Sequence, residues 1–263
     1  MHKDSIARTI GVAVVVCVAC SVIVSSAAVG LRSRQHANQV REQMVQILAA
    51  AGLPESDLAG DTETLKRRFD QVIETRVVDL ATGERLSDVD PASIDPRKEA
   101  RNPATSTVIA QGEDLAGIKR RANRQAIYLY RKDGRIERII LPVYGKGLWS
   151  TMYGYLALSS DAMTIERLAF YEHAETPGLG GEIDNPRWKA QWVGKKAFDD
   201  EGEPRIEVIK GVVDSSSPQA DYQVDGISGA TITGRGVMNL VRYWLGEQGY
   251  GPVLEKLQET EGR

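Results

Sequence analysis

A hydroxyl delivered to the start of a helix is the chemistry offered by the run Asp225-Gly226-Ile227-Ser228-Gly229-Ala230-Thr231. The run leads into Val237, Leu240, Val241, Trp244 and Leu245, apolar residues at helical spacing. A helix start carries free backbone N–H groups and the positive end of the helix dipole, which together suit a phosphate. Gly229 and Ala230 remove side-chain bulk, so a large group can approach the backbone between Ser228 and Thr231. Asp225 is the acid that adjoins this turn. The same residue types also serve as ordinary caps and turns, and seven residues alone do not separate the two readings.

Two further glycine-rich stretches stand upstream. Gly145-Lys146-Gly147-Leu148-Trp149-Ser150 and His173-Ala174-Glu175-Thr176-Pro177-Gly178-Leu179-Gly180-Gly181 each give backbone that a flat ligand can approach closely. Trp149 and Leu179 could pack on a ring. Each stretch taken singly reads first as a loop, because Gly and Pro mark turns. His173 and Glu175, two apart, could serve acid–base work or a metal. The chain has three histidines, His2, His36 and His173, so it holds no histidine-rich metal cage. His173 is therefore expected to hydrogen-bond within its own loop. The serines lack the nucleophile-elbow pattern. No strand–GxGxxG–helix unit is present to bind a dinucleotide.

The elements that must position these stretches can be read from periodicity. Ala126 to Arg131, a turn at Lys132-Asp133-Gly134 and Ile136 to Val143 predict a hairpin. Met152 to Leu158, Ile165 to Tyr171 and Arg205 to Val213 read as further strands. A helix over 233–247 follows the hydroxyl run, and Pro252 to Gln258 reads as a short last helix. Upstream, Val40, Met44, Ile47, Leu48 and Ala51 predict a helix stopped by Gly52 and Pro54. A second helix follows Asp61. Residues 80–105, rich in Asp, Pro, Ser and Arg, read as loop, and 111–124 carry no clear pattern. Strands in a run with flanking helices predict an α+β fold with a mainly antiparallel sheet.

Thr9 to Leu31 contains no charged residue. Those 23 residues make a helix of about 35 Å, enough to cross a bilayer core of about 30 Å. Ser26-Ala27-Ala28 resembles a signal cleavage site, but the apolar run exceeds the ~7–15 residues of a signal core, so a retained transmembrane helix is expected. The resulting order is a short tail (1–8), the span (9–31), a helical and loop segment (32–110) and a globular domain (111–263). Lys3 and Arg8 precede the span, and Arg32, Arg34 and Arg41 follow it. That count would place the C-terminal side in the cytoplasm, though the charge rule is weak for long domains. Cys17 and Cys20 both lie inside the span and read as packing residues. A net charge of −3 with no basic stripe argues against nucleic acid.

The three glycine-rich stretches, in this order behind one N-terminal span, resemble the FMN-binding domain of respiratory membrane complexes over about residues 140–245. Asp-Gly-x-Ser-Gly-Ala-Thr looks like the flavinylation signature, whose last threonine carries FMN through a phosphoester bond. The blocks Gly147-Leu148-Trp149-Ser150-Thr151-Met152-Tyr153-Gly154 and Gly180-Gly181-Glu182-Ile183-Asp184-Asn185-Pro186 are most similar to the C subunits of sodium-translocating NADH:quinone reductases.

The resemblance implies a covalent FMN on Thr231, installed by a separate flavin transferase with FAD as donor. Thr233 is a competing acceptor, but in the signature the acceptor directly follows Ala. Ser228, Gly229, Ala230 and Asp225 would line the attachment point, with Asp225 orienting the hydroxyl or the metal-bound donor. Glu175, Thr176 and Leu179 would lie at the flavin, and Gly147, Leu148 and Trp149 at the pocket edge. Lys210, in the strand before the motif, would face the flavin and stabilise its anionic forms; a solvated surface lysine is the plain alternative.

The implied function is electron transfer within an inner-membrane complex that oxidises NADH, reduces ubiquinone and exports sodium. The soluble domain would be periplasmic, against the charge count, and other subunits would be its partners. The alternatives are the G subunit of the Rnf ferredoxin:NAD oxidoreductase complex, a cofactor-free anchored structural subunit, and a flavin-sensing regulatory domain that binds flavin reversibly.

Overall fold

The computed structural model describes residues 6–261; most of the expected N-terminal tail, with Lys3, lies outside them. The chain divides into two units, one up to Met44 and one from Val45 onward. Helix α1 (Ile6–Ala50) supplies the first. Among the described residues it is the one helix long and apolar enough to cross a membrane, and Cys17 and Cys20 are free and exposed on it. The helix expected from Val40 is not a separate element but the continuation of α1. No Gly or Pro stands between Arg32 and Ala51 to break it. It stops at Gly52, whose φ of +79° suits glycine, with Leu53 N–H donating to the Leu48 carbonyl.

The second unit is α+β. After the last turns of α1 come α2 (Glu55–Leu58) and α3 (Thr62–Val72), the latter capped by Asp61, which accepts from Thr64 N–H at 2.8 Å. There follow β1 (Ile73–Asp79), α4 (Pro96–Arg101), β2 (Ser106–Val108) and β3 (Arg120–Ala122). Next are β4 (Arg124–Lys132), β5 (Arg135–Lys146), β6 (Thr151–Ser159) and β7 (Thr164–Glu172). The chain closes with α5 (Pro186–Ala190), β8 (Lys195–Lys196), β9 (Glu207–Val208), β10 (Gln223–Val224), α6 (Thr231–Leu245) and α7 (Gly251–Glu261).

Six strands form one sheet in the order β1-β4-β5-β6-β7-β8, every neighbour antiparallel. The β4–β5 hairpin turns at Asp133 (φ +51°) and Gly134 (φ +80°). Two consecutive left-handed residues match the twist of a tight hairpin. Both faces of the sheet are covered, and the pleat sorts the side chains between them. Ile127, Leu129, Ile139, Leu141, Met152, Leu156 and Leu158 join Val237, Leu240, Val241 and Trp244 of α6 in the main core. The alternate positions Ala126, Tyr128, Ile140, Tyr155 and Ala157 are buried on the opposite face. There Phe69 of α3 meets Tyr128 edge-on at 6.1 Å, and Arg138 donates to the Ala51 carbonyl.

Three further expectations are corrected. The strand expected over Arg205–Val213 shrinks to Glu207–Val208, paired in parallel with Gln223–Val224. The chain then leaves the ladder at Gly211 (φ +95°), and Val213 N–H goes to the Asp225 carboxylate instead. The 80–105 loop contains α4, started by Asp95-Pro96; Asp95 accepts from Arg97 and Lys98 N–H. The featureless 111–124 segment contributes β3.

Candidate functional site

The three stretches fall on three connections around one end of α6. Gly147–Ser150 links β5 to β6, His173–Gly181 follows β7, and Asp225–Ala230 runs from β10 into α6. Helix α6 is pressed onto β5: a Cβ at Gly145 would sit 2.6 Å from Leu240 Cβ. Trp244 Nε1 donates to the Tyr144 carbonyl at 2.7 Å. At the upper turn, a Cβ on Gly236 would meet the Lys146 carbonyl at 2.5 Å and Gly147 Cα at 3.4 Å. Glycine at these positions brings the helix start against the Gly147–Ser150 connection.

Glu175 joins the three. It is 4% exposed. Its Oε1 accepts from Trp149 N–H at 3.0 Å and Ser150 N–H at 3.4 Å, and its Oε2 from Leu148 N–H at 3.2 Å. Thr233 Oγ1 donates to Oε2 at 2.5 Å. Burial alone would push this carboxyl up, but the Thr233 hydroxyl and the three amides together hold it below its ordinary value. Both oxygens of Glu175, expected at the ligand, thus accept hydrogen bonds from within the chain. A side chain at Gly147 would run into Oε1, and one at Gly180 would come within 2.6 Å of Thr233 Oγ1 and 2.9 Å of Oε2. His173 hydrogen-bonds within the loop region as expected, with Nε2 2.7 Å from Asp184 Oδ2 and Nδ1 accepting Glu175 N–H at 3.2 Å. Ser150 Oγ accepts Ala174 N–H at 2.8 Å and adds a second tie between the two loops.

Thr231 is the first residue of α6 and is exposed, whereas Thr233 is fully buried. The cap residue Ala230 offers no side-chain hydrogen bond, so the N–H groups of the first turn keep no side-chain acceptor. Ser228 and Gly229 are exposed beside it. Leu179 reaches across from its own loop: a Cβ on Gly229 would meet its Cδ2 at 3.0 Å. Exposed apolar side chains stand on each of the elements that meet here: Leu148 (41%) and Trp149 (65%) on the first loop, Leu179 (45%) on the second, and Ile232 (59%) next to Thr231 on α6. Thr176 is exposed on the loop that carries Leu179.

Asp225 works as a clamp. Val213 N–H donates to Oδ1 at 2.7 Å and Gln191 Nε2 to Oδ2 at 3.0 Å. Its own N–H donates to Gln191 Oε1 at 2.9 Å, and its carbonyl accepts from Trp188 Nε1 at 2.9 Å. Both carboxylate oxygens are engaged away from the Thr231 hydroxyl. Lys210 is exposed on the segment that flanks the motif, next to Gly211, whose carbonyl accepts Gly226 N–H at 2.8 Å. Sequence reasoning missed Gln191, Ser150 and the inward role of Thr233. Nothing in their types marks these; the glycines at 147 and 180 were the available hint that something packs against them.

The arrangement fits a flavin mononucleotide. An uncapped helix start with an adjacent exposed hydroxyl suits its phosphate, and the exposed apolar side chains suit the faces of its ring system. Among the described residues no cluster of ligating side chains could hold a metal.

Residues 147–246 match the family model of the FMN-binding domain. The C subunit of the Na(+)-translocating NADH-quinone reductase from Pseudomonas aeruginosa is 46% identical over 260 residues, covering 99% of each chain. The corresponding protein of Yersinia pestis is 45% identical, over 98% of this chain and 95% of the relative. The crystal structure of Shewanella oneidensis NqrC superposes with a TM-score of 0.76 at 33% identity, covering 86% of this chain and 100% of that one. Similarity of this extent, over nearly the full length of the relatives, shows that the chain belongs to the family of C subunits of the Na(+)-translocating NADH-quinone reductase.

Proposed function

We propose that this chain is the membrane-anchored electron carrier of such a complex, with FMN joined through its phosphate to Thr231 Oγ1. The complex oxidises NADH, reduces ubiquinone and exports sodium, and the flavin supplies the electron-accepting and electron-donating chemistry of this subunit. The observation that carries the reading is the contrast between the two threonines at the start of α6: Thr231 exposed, Thr233 buried and bonded to Glu175. Attachment would be made by a flavin transferase from FAD. The Thr231 oxygen bonds to the FMN phosphorus, the phosphoanhydride breaks, AMP leaves, and the hydroxyl proton passes to a base. With Asp225 and Glu175 both engaged, that base belongs to the transferase. Leu148, Trp149, Thr176 and Leu179 would flank the ring, Ser228 and the α6 amides the phosphate, and Lys210 would lie within reach of its charge. The uncharged stretch of α1 would anchor the chain in the inner membrane, with the second unit on the periplasmic side.

The near full-length match to C subunits favours this reading over an Rnf G subunit, and the FMN-binding match favours it over a cofactor-free scaffold. The test is NADH-dependent quinone reduction in membranes carrying the complex with Thr231→Ala. Assembly is checked by co-purification of the other subunits. The expected outcome is an assembled complex whose quinone reduction falls to background. An assembled complex with unchanged activity would overturn the proposal.

A further inference from the structure

We infer that Glu175 is a positioning residue that assembles the cofactor site before the cofactor arrives and fixes which threonine is offered for modification. The inference rests on the reading of Thr231 as the acceptor. A buried carboxylate is costly unless its oxygens are satisfied. Among the described residues Glu175 has no lysine or arginine partner within ion-pair distance. Its charge is held instead by three amides of one loop and one hydroxyl of α6. Such charge-assisted bonds are stronger than neutral ones, and here every one of them joins the His173–Gly181 loop to another part of the site. The carboxylate thus fastens the Gly147–Ser150 connection and the first turn of α6 to the same point.

Gly147 and Gly180 leave the space that lets those partners close in. No cofactor atom needs to touch Glu175 for this to matter, since it acts through Leu148, Trp149 and Thr233. The bond to Thr233 also sets the rotation of the helix start. Residues two apart on an α-helix are turned by roughly 200° from one another. Holding Thr233 inward against Glu175 therefore turns Thr231 outward.

The test uses the full-length chain in detergent, produced without transferase, as wild type, Glu175→Gln, Thr233→Val and Thr233→Ser. Hydrogen exchange of the Leu148, Trp149 and Ser150 amides is measured first. Purified transferase and FAD are then added, and flavin incorporation is followed by intact mass with peptide mapping of the site. Glu175→Gln is expected to speed exchange of these amides by about tenfold and to slow incorporation, because neutral acceptors hold amides less tightly. Thr233→Val should move both readouts the same way, and Thr233→Ser, which keeps the hydroxyl, should restore both. A general packing role would not be rescued by serine over the nearly isosteric valine. Wild-type exchange and incorporation in both Glu175→Gln and Thr233→Val would overturn the inference. If Glu175→Gln fails to fold, equal rates for Thr233→Val and Thr233→Ser overturn it alone. Modification of the wild type at a residue other than Thr231 would instead sink the reading of the acceptor, while the exchange data still decide the role of Glu175.

Discussion

Two threonines two positions apart carry opposite fates because one carboxylate claims one of them. Thr233 gives its hydroxyl to Glu175 and is sealed under Gly180; Thr231 is left exposed at the helix start. The resemblance to the flavinylation signature pointed to Thr231, through its place after Ala230, but could not say what becomes of Thr233. That depends on a partner 58 positions away. The same holds for Asp225, which the sequence offered as the acid next to the hydroxyl and which the fold spends on Val213 and Gln191. Glu175 has a pH signature. Its folded value lies below its ordinary 4.5 because the Thr233 hydroxyl and three amides outweigh burial. A lowered acid contributes stability that is fully present above the ordinary value and is lost as pH falls through the folded one. Glu175→Gln should thus destabilise the chain near neutrality, by about 1–3 kcal/mol, with the deficit shrinking as pH drops below 4.5. Denaturant melts of both chains across pH check this. A constant deficit at every pH would mean that shape, not charge, is what Glu175 contributes.

At the scale of elements, β4 to β7 of the central sheet and the helix α6 were legible because their patterns are simple, whereas β1 and β8 were not read. Apolar runs bounded by turn residues marked β4 to β7, and Lys132-Asp133-Gly134 marked the tight turn. The Arg205–Val213 segment misled because an apolar strand-like pattern is not sufficient for a strand. A ladder partner is also needed, and Asp225 removes one of its amides. The continuity of α1 was hidden because the polar stretch after Leu31 reads as a break only by composition, whereas nothing in it stops a helix. The packing of α6 against the Gly147–Ser150 connection turns on Gly236. Alanine there gains about 1 kcal/mol of helix propensity. Its Cβ would also press on the Lys146 carbonyl at 2.5 Å, and overpacking of this kind costs typically ~1–3 kcal/mol. Backbone cannot yield as a flexible side chain does, so the clash wins. Gly236→Ala should lower the thermal midpoint and slow flavin incorporation together. A raised midpoint would show that the helix has room to spare.

For the molecule as a whole, the structure has one long N-terminal helix and an α+β unit whose three connections converge on the start of α6. Family membership was legible from motif blocks, and the near full-length relatives agree with it. The convergence of the blocks was not legible, because residues 147, 175 and 233 are brought together only by the sheet order and by the close seat of α6 on β5. The central proposal is the covalent attachment of FMN at Thr231. The most direct measurement is the intact mass of the full-length chain, co-expressed with an active flavin transferase, beside Thr231→Ala. The expected result is a mass gain of FMN less water in the wild type, with flavin fluorescence that survives denaturation, and neither in the mutant. The same gain in Thr231→Ala, or an unmodified wild type beside a transferase that modifies another substrate, would contradict it.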